Sequence, residues 1–512
     1  MRVELLVSHW CPTCPAAEAI WRQVAAERAI DFAVVDVTKP EGREIVSKLN
    51  LRTIPSTVID GVLQAVGVPS LDAARALVAA APPRATAAPA AQSVRERAAR
   101  PPAPAFDARA ALRLLANVPH RFFFLLGAVQ AVAVMLWWLV DLGGRYAGLY
   151  APIAWTVPPP WGHAFLMNYT VFPFFVFGFL MTAMPNWTGE AMPHRAHLYA
   201  GLPMALGVVL LYVGFATDAR VVLTGVALLV VGWLIGAGIL ASVVAENRGR
   251  DRFALGLTVV MFVGALSAAA FGAWLATDEP MFAAASRHAG VWLFLVPLFL
   301  TIEHRLVPFF SSRIIEGYAV FRPQWSLPLL MAAAAAHFAL ELAGARAWLW
   351  VADAPMAAWV ALLAVKWGLK GSFRARLLVM LHLTLVAGAV AFALYALDSL
   401  ATAAGHAGAL GLAPLHALTI GYFAATTVAM VSRVSLGHSG RALEADPLTW
   451  WAFLGLLATA ALRTVADLWF MPPALRLWLS VAAAVLWLTV FLTWAARYLP
   501  LYLRPRADGR PG

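Results

Sequence analysis

The sequence predicts a mainly α-helical polytopic membrane protein that carries a small α/β domain at its N-terminus. Of the 512 residues, 62% are hydrophobic and 13% are charged, whereas a soluble protein is about half apolar and a quarter charged. After residue 121, apolar runs of about 17 to 25 residues recur, each long enough to cross a hydrocarbon core about 30 Å thick. Before that point, short stretches with strand and helix patterns alternate.

Residues 1–80 are predicted to form the small α/β domain. Asp60-Gly61 is the sequence of a tight hairpin turn between two strands, and Ser70 is suited to cap the last helix. The predicted elements follow one another in the order β-α-β-α-β-β-α, with strands at 3–7, 31–37, 56–60 and 62–67 and helices at 15–26, 41–49 and 71–80. This order resembles a minimal thioredoxin or glutaredoxin fold.

The only two cysteines of the chain lie together in SHWCPTCP. Cys11 is placed where a strand gives way to a helix, and a helix N-terminus favours the thiolate form of such a cysteine. We therefore expect Cys11 to be the nucleophile and Cys14 the resolving thiol. In thioredoxin-like folds a cis-proline before a strand packs beside the cysteine pair, and this resemblance points to Pro55 in RTIPSTVID. Alternatively, the two cysteines form half of a metal site that another chain completes.

The first residues, MRVELLV, lack the long apolar region and cleavage site of a signal peptide. The N-terminus is therefore predicted to stay in the cytoplasm. Structural disulfides are rare there, so the cysteine pair is expected to be redox-active or metal-binding.

A linker and a membrane domain are predicted to follow. Residues 81–114 are rich in Pro, Ala and Arg, as expected of a flexible linker. Residues 115–500 are predicted to hold twelve spans, and residues 501–512 form a basic cytoplasmic tail. The predicted spans are 121–141, 162–184, 198–216, 220–244, 254–276, 286–304, 326–344, 346–366, 376–397, 411–432, 449–469 and 474–498.

Basic residues set the predicted orientation. Most of them follow even-numbered spans, for example Arg195, Arg248, Lys370 and Arg441, which places both termini in the cytoplasm. Because these residues alternate with apolar segments and do not gather on a soluble face, the net charge of +11 indicates membrane topology and no nucleic-acid partner.

Histidines are the ionisable residues that recur in the spans, and ionisable groups inside a membrane are functional candidates by default. They sort into an outer layer (His163, His288, His337, His406 and His416) and an inner layer (His194, His197, His304, His382 and His438). Imidazole is a good ligand for haem iron and for copper, so the two layers predict two centres. The candidate metal ligands are His163, His288, His304, His382 and His416. The alternative for each of them is a hydrogen-bonded contact between helices.

Three stretches resemble the NnrS family, over about residues 115–500. They are GFLMTAMPNWTG (178–189), HRLVPFFSSR (304–313) and LHALTIGYFAATTVAMVSRVSLGHSGR (415–441). The family consists of twelve-span bacterial membrane proteins described as containing haem and copper and linked to nitric oxide stress. The resemblance implies the inner membrane as location and the following cofactor-binding residues: His163, His382, His416, His438, Arg433 and Arg305. The two arginines are interpreted as partners of haem propionates, or alternatively as positive-inside anchors.

One motif departs from the family pattern. Where members commonly show His-Ala-His-Glu-Met, this chain has HAFLM, with His163 kept and Phe165 and Leu166 at the next two polar positions. One metal site is therefore expected to be altered, and copper is less expected than haem.

The motif MPNWTG follows span 2. It is interpreted either as a break that presents backbone groups to a cofactor or as a helix stop at Pro185.

The function implied by the resemblance is that of a haem, or haem and copper, membrane redox protein that handles nitric oxide or resists nitrosative stress. The cysteine pair would be its electron or thiol input, maintained by a cytoplasmic reductant such as thioredoxin or glutathione. The alternative is a non-enzymatic protein with a regulatory thiol domain. It would be either a transporter or a sensor that binds nitric oxide or metal. A thiol relay across the membrane is disfavoured because no span contains a cysteine.

Overall fold

The computed structural model describes residues 1–8, 11, 14–37, 39–49, 51, 53–83 and 107–508. The chain divides into two units, residues 1–105 and residues 106–512. The predicted linker over residues 84–106 lies outside the described residues.

The first unit has the predicted order of elements. Its strands are β1 (Arg2–Val7), β2 (Asp31–Asp36), β3 (Ser56–Ile59) and β4 (Val62–Val66), and its helices are α1 (Cys14–Glu27), α2 (Pro40–Lys48) and α3 (Leu71–Leu77). The sheet order is β2-β1-β3-β4, with β1 parallel to β2 and antiparallel to β3. This topology confirms a thioredoxin-like α/β domain.

Local sequence explains two features of this unit. Asp60 and Gly61 both have positive φ, 47° and 81°, which is the backbone that a two-residue hairpin of type I′ requires. Ser70 accepts a hydrogen bond from the Ala73 N–H at 3.1 Å and so caps α3. However, α3 ends at Leu77 and does not reach residue 80 as predicted.

The second unit contains an amphipathic helix, α4 (Ala108–Asn117), and twelve apolar helices at the predicted places. In the described part of the chain, eleven of the twelve are long and apolar enough to span a membrane, and the remaining one, span 7, has 17 residues. Spans 1 to 12 are Pro119–Arg145, Pro159–Thr188, Ala196–Thr217, Ala219–Glu246, Arg252–Thr277, Pro280–Ile314, Ser326–Leu342, Arg346–Lys366, Arg376–Ala403, Ala413–His438, Pro447–Ala466 and Pro473–Leu503.

Two further predictions about the ends of elements were wrong. Residues 108–114 of the predicted linker belong to α4, because the Asp107 side chain caps that helix by accepting from the Arg109 and Ala110 N–H groups. Span 2 does not stop at Pro185 but continues to Thr188, and Gly189 ends it with a φ of 78°. The Gly189 N–H donates to the Pro185 carbonyl at 2.9 Å.

The bundle closes on itself, because span 12 packs against span 1. Trp487 Nε1 donates to the Ala131 carbonyl at 3.1 Å. Arg121, which is 1% exposed, donates from Nη1 to three carbonyls at the end of span 12, those of Leu501 (3.2 Å), Tyr502 (3.2 Å) and Arg504 (2.6 Å). This guanidinium satisfies carbonyls that a helix C-terminus otherwise leaves unpaired. We call this side of the bundle the Arg121 end.

Spans 2, 6 and 10 are the most buried spans, and each contains a π-helical segment. These segments are Met167–Val171, Gly290–Leu295 and Ala417–Ala424. A His-Ala pair precedes or begins each of them, at His163, His288 and His416. The three spans recur at intervals of four along the membrane unit. π segments are frequent at functional sites, which supports these three histidines as candidate site residues. We call this side of the bundle the His416 end.

Asp446 fixes the start of span 11. Its carboxylate accepts from the Thr449 N–H at 2.8 Å and from Arg497 Nε of span 12 at 2.6 Å. Burial raises the pKa of Asp446, but the hydrogen bonds from Arg497 and Thr449 outweigh this effect and hold the pKa below its ordinary value. A carboxyl group with a lowered pKa stabilises the folded state above its ordinary pKa, and this contribution is lost as the pH falls through the lowered value.

We expect Asp446→Ala to lower the unfolding free energy of the detergent-solubilised protein by about 1 kcal/mol through loss of the cap. Asp446→Asn should keep the cap but lose the ion pair. Because the amide does not titrate, this variant should lose less stability than wild type on acidification below about pH 4. Unfolding in denaturant at several pH values measures both effects. Equal stability of Asp446→Ala and wild type at neutral pH would contradict the capping role.

Candidate functional site

The thiol site lies at one end of the four-stranded sheet. Cys11 and Cys14 form a disulfide with a Cα–Cα distance of 5.4 Å. Cys14 begins α1 and is 4% exposed, whereas Cys11 is half-buried. The Ile54–Pro55 peptide bond is cis, and Pro55 directly precedes β3. Because Ser56 pairs with Leu6 near the end of β1, Pro55 lies at the sheet end from which the chain continues to Cys11.

His416, at the start of span 10, is oriented by its neighbours. Its Nδ1 lies 3.0 Å from the Leu412 carbonyl and 3.2 Å from an Asp467 carboxylate oxygen. Both partners are acceptors, so Nδ1 carries the proton and the neutral ring keeps its lone pair on Nε2. A histidine held in this way by a carboxylate is the usual arrangement behind a metal-ligating imidazole.

Asp467 is itself held by a cation. Arg463, one helical turn earlier, approaches the same Asp467 oxygen at 2.7 Å. Burial raises the pKa of Asp467, but its contacts with His416 and Arg463 outweigh burial and leave the pKa below its ordinary value. Asp467 is therefore a carboxylate at neutral pH, which secures the orientation of His416.

His163 joins this group from span 2. Its ring stacks on Trp138 at 4.3 Å between centroids, and it lies within electrostatic range of His416 and Arg463. Within the described residues, its buried Nδ1 has no hydrogen-bond partner. We call the five residues Trp138, His163, His416, Arg463 and Asp467 the His163–His416 cluster.

The cluster fits a cofactor that needs few protein ligands. His163 offers an unpartnered buried nitrogen and His416 offers Nε2, which suits haem iron because that iron takes at most two axial ligands from the protein. Within the described ranges, no three His, Cys, Asp or Glu side chains are grouped so that they could hold a metal ion. The geometry therefore suits haem better than a metal centre with three protein ligands.

The position altered in HAFLM is filled by apolar groups. Phe165 stacks on Phe271 at 4.3 Å and is 2% exposed, and Leu166 is fully buried. Neither side chain has a donor atom, so a metal held by a His-Glu pair at this position does not fit this chain.

His288 lies apart from the cluster, beside a second group of polar residues. Its Nε2 is 3.9 Å from Glu341 Oε1. One turn before Glu341, His337 is 1% exposed and lies with Nδ1 2.7 Å from Asp353 Oδ1. Trp292 stacks on His337 at 3.3 Å between centroids.

His304 and His382 are not brought to the His163–His416 cluster. His304 uses both ring nitrogens, with Nδ1 2.8 Å from the Leu300 carbonyl and Nε2 3.0 Å from Ser326 Oγ. His382 Nε2 lies 3.1 Å from Ser311 Oγ. The contacts with Ser326 and Ser311 join different spans, which is the alternative that the sequence left open for single histidines. Within the described residues, His382 Nδ1 has no hydrogen-bond partner.

Arg305 and Arg433 have different surroundings. Arg305 Nη1 lies 2.9 and 2.7 Å from the two Asp251 oxygens, and its guanidinium covers the Trp187 ring at 4.1 Å. Arg433 lies over the Phe310 ring at 3.9 Å. Arg305 is thus already paired with a carboxylate. His438, at the far end of span 10, lies beside His120 of span 1, with ring centroids 4.6 Å apart.

Glu303 is the most conspicuous residue that the sequence reasoning passed over. It is 1% exposed in span 6 and accepts from Tyr422 OH at 2.5 Å and from the Thr384 and Thr426 hydroxyls at 3.4 Å each. The predicted span ended at residue 304, which placed Glu303 in its last turn. In the structure span 6 continues to Ile314, and a carboxyl inside an apolar span is a signal that could have found it.

Fold and site together define a polytopic helical membrane protein with an N-terminal thioredoxin-type disulfide domain and a histidine–carboxylate cluster among its spans. The family model described as NnrS protein matches residues 114–506, and the chain belongs to the NnrS family. A thioredoxin domain model matches residues 1–79. This region is also similar to a thioredoxin of Methanocaldococcus jannaschii, with 29% identity over 73 residues, which are 14% of this chain and 86% of that protein.

Proposed function

We propose that the protein is a haem-carrying membrane redox protein that handles nitric oxide or protects against nitrosative stress. The observation that carries this proposal is the His163–His416 cluster, where a carboxylate orients the His416 ring and the buried Nδ1 of His163 has no hydrogen-bond partner among the described residues. Membership of the NnrS family and the resemblance to haem proteins of nitric oxide stress support it. Nitric oxide is small and apolar enough to enter a site among the spans from the lipid.

Each residue of the cluster has a proposed role. His416 would ligate through Nε2, because Nδ1 is committed to Leu412 and Asp467. Asp467 would keep that ring in one tautomer and orientation, and Arg463 would keep Asp467 ionised. His163 would supply the second imidazole, held in place by the Trp138 ring. Haem bound here would supply an iron centre able to bind and reduce small nitrogen oxides.

Copper is proposed only as a secondary cofactor. The family resemblance implies it, but the position of the altered HAFLM motif holds Phe165 and Leu166 and offers no ligand.

The thioredoxin-type domain is proposed as the source of electrons or thiols. When the dithiol of Cys11 and Cys14 closes to the observed disulfide, it releases two electrons and two protons to an acceptor. A cytoplasmic thiol reductant would then reopen the disulfide by exchange at Cys11. This role requires both termini in the cytoplasm and the spans in the bacterial inner membrane, as the positive residues of the loops predict.

Purified full-length protein, expressed with haem supply, is expected to show a Soret band that is lost or strongly weakened in His416→Ala and His163→Ala. His406→Ala is the matched control, because His406 is exposed in the loop between spans 9 and 10. Absorption spectra and haem extraction provide the measurement. Colourless wild-type protein, or a full band in both cluster variants, would contradict the proposed site.

A second measurement separates the enzyme from the sensor. Proteoliposomes with a thiol reductant and nitric oxide should consume the gas continuously, which a nitric oxide electrode records. Binding that stops at one equivalent would favour the non-enzymatic alternative.

A further inference from the structure

An apolar groove opens on the surface of the bundle between spans 8 and 9. Its volume is about 380 Å³, which lies within the range of roughly 300–1,000 Å³ that is typical of ligand sites. Val365 and Val390 line it and are 64% and 52% exposed, so the groove faces the surroundings that lipid occupies. Five alanines line it as well, on span 8 Ala357, Ala361 and Ala364 and on span 9 Ala389 and Ala393.

Small side chains explain why the groove exists. Spans 8 and 9 pack directly against each other, but alanine has no atom beyond Cβ, so the facing alanines leave a hollow that no side chain fills. Atoms that line an empty hollow lose their van der Waals contacts. In a bilayer, an acyl chain is the flexible apolar group that restores these contacts.

The groove extends towards the loop between spans 8 and 9, since Leu369 in that loop belongs to its lining. This loop lies at the Arg121 end of the bundle. Arg376, at the start of span 9, donates from Nη1 to the Ala445 carbonyl at 3.4 Å. Ala445 lies in the loop after span 10, and span 10 ends at His438, beside the start of span 1.

Unpaired positive charge surrounds this end of the groove. Lys366 and Lys370 each directly follow a lining residue, and they are the only lysines of the membrane unit. Both are exposed, and among the described residues neither is paired with a carboxylate. Lys366 Nζ lies 5.8 Å from the centre of the Phe321 ring, a contact that leaves its charge uncompensated. Since residues 354–397 contain no Asp or Glu, this charge is available to an anion from outside the chain.

We propose that the groove binds one anionic phospholipid, with an acyl chain along the alanines and the phosphate beside Lys366 and Lys370. Lysine binds phosphate as a point charge, and basic pockets between membrane helices bind anionic lipid headgroups. An apolar groove that ends at two unpaired cations matches a ligand with an apolar chain and a negative head. The site shares no residue with the His163–His416 cluster, so the inference does not depend on haem.

Two other occupants fit these charges less well. Small residues also let membrane helices approach closely, so a helix of a second copy would fit the groove by size. In a two-fold symmetric dimer, however, the same patch of both copies meets itself, which would bring Lys366 and Lys370 of the two copies together without an anion. A neutral isoprenoid chain would fill the hollow but leave both lysines uncompensated.

The test uses delipidated full-length protein in detergent micelles. It is titrated with phosphatidylglycerol or with phosphatidylcholine of the same acyl chains, and native mass spectrometry counts the bound lipids. The first phosphatidylglycerol is expected to bind more tightly than the first phosphatidylcholine. The double variant Lys366→Gln, Lys370→Gln should weaken the first phosphatidylglycerol about 25-fold, or about fivefold for each charge, and should leave phosphatidylcholine unchanged. Ala361→Phe, which fills the groove from an exposed position, should weaken both lipids.

Two matched controls separate the groove from general effects. Arg248→Gln with Arg250→Gln removes two exposed cations from the loop after span 4, and Ala332→Phe adds a ring at an exposed position of span 7. Neither control should change the first phosphatidylglycerol. Equal affinity of wild type for the two lipids, or an equal loss in the lysine and arginine variants, would overturn the site. A dimer that excludes lipid and separates in Ala361→Phe would also overturn it, because the groove would then belong to a second copy.

Discussion

Glu303→Leu is expected to lower the unfolding free energy of the membrane unit by about 1–3 kcal/mol, the cost of leaving a buried polar group without its partner. Tyr422 OH donates to Glu303 at 2.5 Å, and Tyr422 is fully buried. The leucine would leave this hydroxyl in an apolar interior without an acceptor. Because Glu303, Thr384 and Tyr422 belong to spans 6, 9 and 10, the loss would loosen the packing of three spans at once.

Glu303→Gln is the matched variant, since the amide keeps one oxygen as an acceptor for Tyr422. We expect it to recover most of the stability. Tyr422→Phe and Glu303→Leu remove the same hydrogen bond, so the double variant should lose less stability than the sum of the two single losses. Glu444→Leu, at an exposed loop position, controls for the removal of a carboxylate. Unfolding in mixed micelles by a denaturing detergent measures the four single variants and the double variant. Equal stability of Glu303→Leu and Glu444→Leu would show that the interior network contributes nothing.

Replacement of the two cysteines is expected to have opposite consequences for the thiol domain. Cys14→Ser should accumulate mixed disulfides with thiol partners through Cys11, because the resolving thiol is missing. Cys11→Ser should form none and should reduce disulfide substrates no faster than the uncatalysed exchange. The reason is the placement of Cys11 before the first turn of α1, half-exposed, while Cys14 is buried at 4% exposure.

Non-reducing electrophoresis with mass spectrometry identifies the trapped partners. Trapping through Cys14 in Cys11→Ser would reverse the assigned roles. In cells, unchanged resistance to nitric oxide in the double cysteine variant would show that the thiol domain is not coupled to the membrane chemistry.

Local signals explain what the sequence could predict. The hairpin at Asp60-Gly61, the cap at Ser70 and the length of each apolar run depend on neighbours in the chain, and the corresponding elements appear where expected. The NnrS and thioredoxin regions were likewise recognisable from short motifs, and the family models match them.

Partners that are distant in sequence explain what could not be predicted. Asp467 lies 51 residues after His416, and His120 lies 318 residues before His438, so only the packed bundle brings either pair together. The π segments were also missed, because a single extra residue per turn leaves the hydropathy of a span unchanged. Pro185 was misjudged because a proline inside a helix removes one N–H donor without always ending the helix; here the left-handed Gly189 ends span 2 one turn later.

The closure of span 12 on span 1 has a consequence for the order of synthesis. While the chain is being made, Arg121 enters the membrane some 380 residues before its carbonyl partners exist, since they lie at Leu501, Tyr502 and Arg504. Until residues 473–503 are inserted, Arg121 and the Ala131 carbonyl lack the partners that span 12 supplies. A chain truncated before residue 473 would therefore leave an uncompensated guanidinium beside span 1, and such a group is costly in a membrane.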